Sequence, residues 1–172
     1  MPDDLRVILY PDPRLKKKSV PVKVFDDNLR KTALRMLELM REHEGVGLAA
    51  PQVGLNIRLF VVNATGKPED DKIYVNPVLS EADGDEEFEE GCLSLPDIKV
   101  AIRRPTERVK MTAQDLDGQP FEEIGEGFIT RIWQHENDHL NGIMIIDRMG
   151  PVAKLTYRKK LRELEEEFEE GK

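Results

Sequence analysis

The spacing of apolar positions changes twice along this chain, and the changes divide it into elements. Leu29, Ala33, Met36, Leu37 and Met40 recur every three or four residues, with Arg30, Lys31, Arg35 and Glu38 on the other side. That spacing predicts an amphipathic helix. Asp26, Asp27 and Asn28 offer its N-cap. It is expected to stop near His43 and Glu44, with Gly45 taking the left-handed C-terminal conformation. From Ile57 the period shortens, and residues 57–62 read as a buried strand. Residues 73–79 read as another strand, broken by Pro77 and so expected at an edge or a bend. After an acidic stretch at 84–90 come short runs at 98–102, 107–113 and 121–124, the last two separated by a turn at 115–118. Helical spacing returns with Ile129, Ile132, Trp133 and Leu140, free of Pro and Gly until Asn141 and Gly142 end it. Gly150 and Pro151 open a last helix. Its apolar positions Leu155, Leu161, Leu164 and Phe168 thin out into an acidic tail. The pattern is α+β: mostly antiparallel strands in the middle, packed around the helix near 128–141, with an N-terminal and a C-terminal helix.

Composition narrows the setting. At 172 residues one domain spanning 1–172 is expected, large enough to bury a core without disulfides. Cys92 is the only cysteine, so no internal disulfide can form and a reducing compartment is the simple reading. A net charge of −8 argues against broad nucleic-acid binding, DNA included. The N-terminus has neither the apolar core of a signal peptide nor the Arg/Ser bias of a transit sequence. No apolar run approaches a membrane span, and a cytoplasmic protein is expected.

The chemistry lies in the helix near 128–141. His135, Glu136 and His139 form H-E-x-x-H. On a helix the two histidines share one face and can bind one metal ion, with Glu136 in reach of a water on it. Two imidazoles need further ligands. Thiolate from Cys92 would make three and leave a fourth position open, the pattern of a catalytic site and not of a structural one. Such a metal acidifies its water and polarises a carbonyl. Glu136 would take the proton and later give it to a leaving amine. His43, the third histidine, reads as a helix-end or surface residue. Gln52, in the otherwise apolar stretch G-V-G-L-A-A-P-Q-V-G at 45–54, should have a specific partner, at the least a backbone group of its own turn. A zinc endopeptidase is a competing reading, but no histidine follows His139 to complete its ligand set. A metal-stabilised binding protein is another, and it would need neither Glu136 nor Gln52.

Three motifs together resemble the peptide deformylases: G-V-G-L-A-A-P-Q-V-G at 45–54, E-G-C-L-S-L at 90–95 and Q-H-E-N-D-H-L at 134–140. Their order and separation also match, and the similarity runs to about Arg148. The resemblance implies a hydrolase that removes the formyl group from N-formylmethionine at the start of new polypeptides. It implies Cys92, His135 and His139 as metal ligands, with Fe2+ as the cellular metal and Zn2+, Ni2+ or Co2+ as substitutes. It implies Glu136 as acid/base, and the Gln52 side chain with the Leu93 backbone N–H at the formyl oxygen. Substrate would be held by Val46, Gly47, Gly91, Phe128, Ile132 and Arg131, whose stem lines the pocket while its head stays wet. Partners would be N-formylmethionyl nascent chains. Weak ribosome contact is a further expectation, from the basic residues Lys154, Arg158 and Arg162 on one helix face; the blander account is pairing within that helix, Arg162 with Glu166.

Overall fold

In the computed structural model, which describes residues 2–171, the chain opens with two 3-10 turns and runs into helix α1 (Asp27–Glu42). Strands β1 (Gly47–Ala49), β2 (Leu59–Val62), β3 (Lys72–Asp83), β4 (Glu86–Cys92), β5 (Leu95–Arg104), β6 (Arg108–Gln114) and β7 (Pro120–Gly125) follow. Helix α2 (Phe128–Leu140), a 3-10 turn and helix α3 (Pro151–Glu170) complete the fold. The expected α+β arrangement is present. All strand pairs are antiparallel, in a five-stranded sheet ordered β1-β2-β3-β6-β7 and a separate β4–β5 hairpin.

Strand alternation explains how two helices share one sheet. Leu59 and Val61 pack with the apolar face of α1, including Ala33, Met36 and Met40. Phe60 and Val62 point the other way, to Ile132, Trp133 and Leu140 of α2. Both sides of β2 are therefore buried, as a continuous apolar run requires. The hairpin has its own core: Leu95, Ile98, Val100 and Ile102 of β5 meet Leu15, Met144, Ile145 and Leu164. Gly125 sits where Trp133 crosses the sheet; a Cβ there would lie 2.7 Å from the indole. Helix α2 is thus held by the sheet on one side, and its other side is left for the hairpin.

Several local readings gain detail or change. Of the edge or bend expected at Pro77 the structure has the bend, within the central strand. A register shift between Val75 and Val78 absorbs it, with Asn76 at φ 51. The Asn76 side chain replaces lost ladder bonds, accepting from the Val22 N–H (2.8 Å) and donating to the Val22 carbonyl (2.9 Å) and to Gln114 (2.7 Å). At the end of α1 the left-handed residue is Glu44 (φ 56), one position before Gly45. Gly45 N–H then reaches Met40 O and Glu44 N–H reaches Arg41 O, a Schellman closure. Gly45 serves a different need, since a Cβ there would sit 2.9 Å from the Leu93 side chain. The acidic stretch 84–90, to which the sequence reading assigns no element, is mostly strand β4. Leu155, expected on the apolar face of α3, is 72% exposed, and only Leu164 of that helix is buried. Helix α3 is tied to the body by Lys160 to Asp97 (3.7 Å) and by the Tyr10 hydroxyl donating to Glu165 (2.9 Å), in place of the expected pairing within the helix.

Candidate metal centre and active site

Helix geometry puts His135 and His139 side by side, with ring centroids 5.0 Å apart. Cys92 ends β4 and brings its sulfur to 3.4 Å from His139 Nε2. One donor atom from each of the three lies within 4.8 Å of the other two. A soft thiolate with two imidazoles suits zinc or ferrous iron. Within the H-E-x-x-H motif, two buried atoms lack a partner among the described residues: Glu136 Oε1 and His139 Nδ1. An unmet carboxylate oxygen beside three convergent donors fits a site that holds an ion and handles a proton.

The neighbouring backbone is cut to this arrangement. A Cβ on Gly47 would lie 2.5 Å from Glu136 Oε2, so only glycine leaves Glu136 its place. Gln52 is buried and uses both ends of its amide. Its Oε1 accepts the Ala49 N–H (3.0 Å), and its Nε2 donates to Ser94 Oγ (3.3 Å) and faces Cys92 Sγ (3.5 Å). The specific partner expected for Gln52 is therefore both a turn backbone group and the site itself.

Behind the histidines lies a buried charge network. Glu90 Oε1 meets His135 Nδ1 at 3.0 Å, which leaves Nε2 of that ring to face the donors. Arg104 grips Glu90 twice, at 2.6 and 2.9 Å, and Arg131 adds 2.7 Å. Arg104 also reaches Asp138 (3.1 Å), which in turn holds Arg148 (2.8 Å). Burial works against a charge on Glu90, but His135 and Arg104 win and hold its pKa down at about 2. Burial pushes Glu136 up to about 7, against the pull of His135. In the metal-free chain burial opposes charge on His135, yet Glu136, Cys92 and Glu90 push that ring up; burial and His135 push His139 well down. A carboxyl near 7 is matched to proton transfer at neutral pH.

A cavity of about 730 Å³ opens over this centre. Val46, Gly47, Gln52, Gly91, Cys92, Leu93, Phe128, Arg131, Ile132, His135 and Glu136 all border it, with His139 behind. Val46 and Phe128 are exposed at the rim, and Ile132 is buried at depth. Gly91 approaches Lys99, whose Nζ would lie 2.5 Å from a Cβ there. His43 caps α1 and is exposed, as expected, but it also borders the cavity. Arg131 differs from expectation. The residue borders the cavity, but it is only 3% exposed and its head is bonded into the protein instead of being wet. Once aimed at Glu90, the guanidinium finds carbonyls and a carboxylate that replace its water. Glu90, Arg104, Asp138 and Phe88 were not singled out from the sequence. The one available signal was Glu90 itself, a lone carboxylate held inside the E-G-C-L-S-L motif.

Comparison with known proteins agrees with the geometry. The family model described as polypeptide deformylase matches residues 5–155. The peptide deformylase of Thermotoga petrophila is 47% identical over 160 residues, covering 92% of this chain and 95% of that one. The Chromobacterium violaceum peptide deformylase is 40% identical over 163 residues, 95% of this chain and 97% of that one. Among solved structures, peptide deformylase from Plasmodium falciparum superposes with a TM-score of 0.91 at 39% identity, covering 95% of this chain and 97% of that one. The Thermotoga maritima structure gives 0.80 at 46% identity, covering 86% and 98%.

Proposed function

The chain belongs to the polypeptide deformylase family and is a metal-dependent hydrolase that removes the formyl group from N-terminal N-formylmethionine, and from that premise we propose how its residues divide the work. Cys92, His135 and His139 hold the ion. When bound, it acidifies water and polarises the formyl carbonyl. Glu136 takes the proton of the attacking water and returns it to the amine that leaves as the new N-terminus. The Gln52 amide and the Leu93 N–H donate to the oxygen where negative charge develops. Losing one such donor typically costs about 10²–10³ in rate. Strand β1 is an edge strand, so the backbone at Gly47 is free to pair with the substrate peptide in strand fashion. Val46, Phe128, Ile132, the stem of Arg131 and the backbone at Gly91 line the space for the methionine and the chain behind it.

The observation that carries this reading is the convergence of the Cys92–His135–His139 donors with the unpartnered Glu136 oxygen and the Gln52 amide over one cavity. A zinc endopeptidase is separated by assay. Formate should be released from formyl-Met-Ala-Ser, with no cleavage of an unformylated peptide; the opposite result rejects the assignment. We assign Fe2+ as the cellular metal on the resemblance to the family, and such a site should be sensitive to oxygen because its thiolate can itself be oxidised. Metal analysis of protein prepared without oxygen decides it, and zinc in that sample would overturn it. We infer one catalytic domain, working in the cytoplasm, as the sequence reading expects. Among the described residues, no helix is long and apolar enough to cross a membrane.

A weak ribosome contact extends the reading. Lys154, Arg158 and Arg162 lie along one groove of about 330 Å³ beside α3. Docking on RNA phosphate should weaken steeply with salt. Co-sedimentation with ribosomes at two salt concentrations tests it, against a variant with all three changed to Glu. Binding equal in the two proteins would leave α3 a solvated helix.

A further inference from the structure

Arg131 stands one helical turn before His135 and shares its face. A buried guanidinium is costly unless its donors are met, and this one is met from three directions. Nη1 donates to Glu90 Oε2 (2.7 Å) and to the Ile102 carbonyl on β5 (2.9 Å). Nη2 donates to the Glu86 carbonyl on β4 (2.7 Å), with the Glu86 carboxylate at 3.5 Å. The Phe88 ring covers its face at 5.7 Å from Cζ. The helix that carries both histidines is therefore fastened to both strands of the hairpin that carries Cys92. The same guanidinium grips the carboxylate behind His135. Arg104 also holds Glu90 in two bonds and reaches Asp138 on α2 at 3.1 Å, but it starts from β5 and meets α2 only at that one carboxylate, whereas Arg131 bonds from α2 to Glu90 and to the backbone of both strands.

We propose that Arg131 is a positioning residue for the metal centre: it locks the β4–β5 hairpin to α2 and fixes Glu90 behind His135, so that the sulfur and the two imidazoles keep the spacing an ion needs. This rests on Cys92, His135 and His139 being the ligands. The alternative is that Arg131 only forms a wall of the substrate cavity. Both make it matter for turnover, and they differ in what else it moves.

The test uses the whole chain loaded with cobalt, in wild type, Arg131→Met, Arg131→Lys and Cys92→Ala. Metal affinity is read by chelator competition and the thiolate–cobalt charge-transfer band by absorption. Arg131→Met keeps the stem and removes the fork. It should weaken metal binding about 10–100-fold, as loss of a group behind a ligand does, shift the cobalt band, and lower kcat with KM for formyl-Met-Ala-Ser unchanged. Arg131→Lys should recover part of the affinity, because an ammonium can reach Glu90 but cannot also fork to two carbonyls. If Arg131→Met does not fold, Arg131→Lys decides alone, since wild-type affinity and spectrum in that variant overturn the proposal. Unchanged affinity in Arg131→Met, with KM or the ranking of second residues altered, also overturns it. A wild-type spectrum with no thiolate band, or one identical to Cys92→Ala, would instead strike at the ligand assignment.

Discussion

Helices α2 and α3 are both rich in charge, and the structure treats that charge in opposite ways. Of the 13 residues of α2, eight are buried, among them Arg131, His135, Glu136 and His139. Of the 20 residues of α3, one is. In α2 each buried ionic head has a fixed purpose: His135 on Glu90, Arg131 on Glu90 and two carbonyls, Glu136 left open to the cavity. In α3 the helix is tied at its edges, by Lys160 to Asp97 and by Tyr10 to Glu165. The lesson is that burial, not charge content, converts an ionisable side chain into a positioned one. Water screens exposed pairs to about 0–1 kcal/mol, whereas a buried charge must find partners or be expelled.

The comparison can be broken most directly at Glu136. Glu136→Gln should retain its metal and lose about 10²–10⁴ in formate release, the usual worth of a general acid/base. Near-normal release from a metal-loaded variant would put the proton elsewhere. Packing gives the next contrast. Trp133 is 1% exposed in α2 and Leu155 is 72% exposed in α3. Trp133→Ala should cost about 3–5 kcal/mol, and Leu155→Ala should stay within about 0.5 kcal/mol. Urea unfolding of the two variants reads both, and equal losses would mean that α3 is buried in solution. The ion pair at the edge of α3 should be smaller than the first of these. Lys160→Met should change stability by less than about 1 kcal/mol, and a larger drop in thermal midpoint would give that pair the fixed role reserved here for α2.

The smallest effect is one of pH. Burial, then the Glu165 carboxylate, push the Tyr10 hydroxyl from its ordinary value of 10.0 up to about 12. The folded pKa exceeds the unfolded one, so the contribution of Tyr10 is whole below pH 10 and disappears as pH rises toward 12. Thermal midpoints between pH 8 and 11 should decline more in wild type than in Tyr10→Phe. Parallel curves would show that α3 does not depend on this bond.

What was legible in the chain was local. Leu29 to Met40 and Ile129 to Leu140 announce helices because period 3.6 is written within a few turns. His135 and His139 announce a metal site because helix geometry alone unites them. Cys92 needed the chemical argument that two imidazoles are too few. The bend at Pro77 was legible, but its place in the central strand was not, because its compensation comes from Asn76 bonding to Val22 and Gln114, residues far from it in the chain. Arg131 was given a wet head for the same reason. Its partners sit on β4 and β5, and no pattern within its own helix points there.

The orientation of Gln52 has one more consequence. The Ala49 N–H claims the oxygen of that amide, so the nitrogen must be the end turned to Cys92 and the cavity. Glutamate is nearly the same shape and could satisfy Ala49 equally well. It would then set an oxygen against the sulfur, acceptor against acceptor, and offer the substrate oxygen no hydrogen. Position 52 therefore discriminates by polarity and hardly by size, and the discriminator is a peptide group three residues upstream. The backbone of β1 acts like the keyway of a lock: it admits a side chain of this length only one way round.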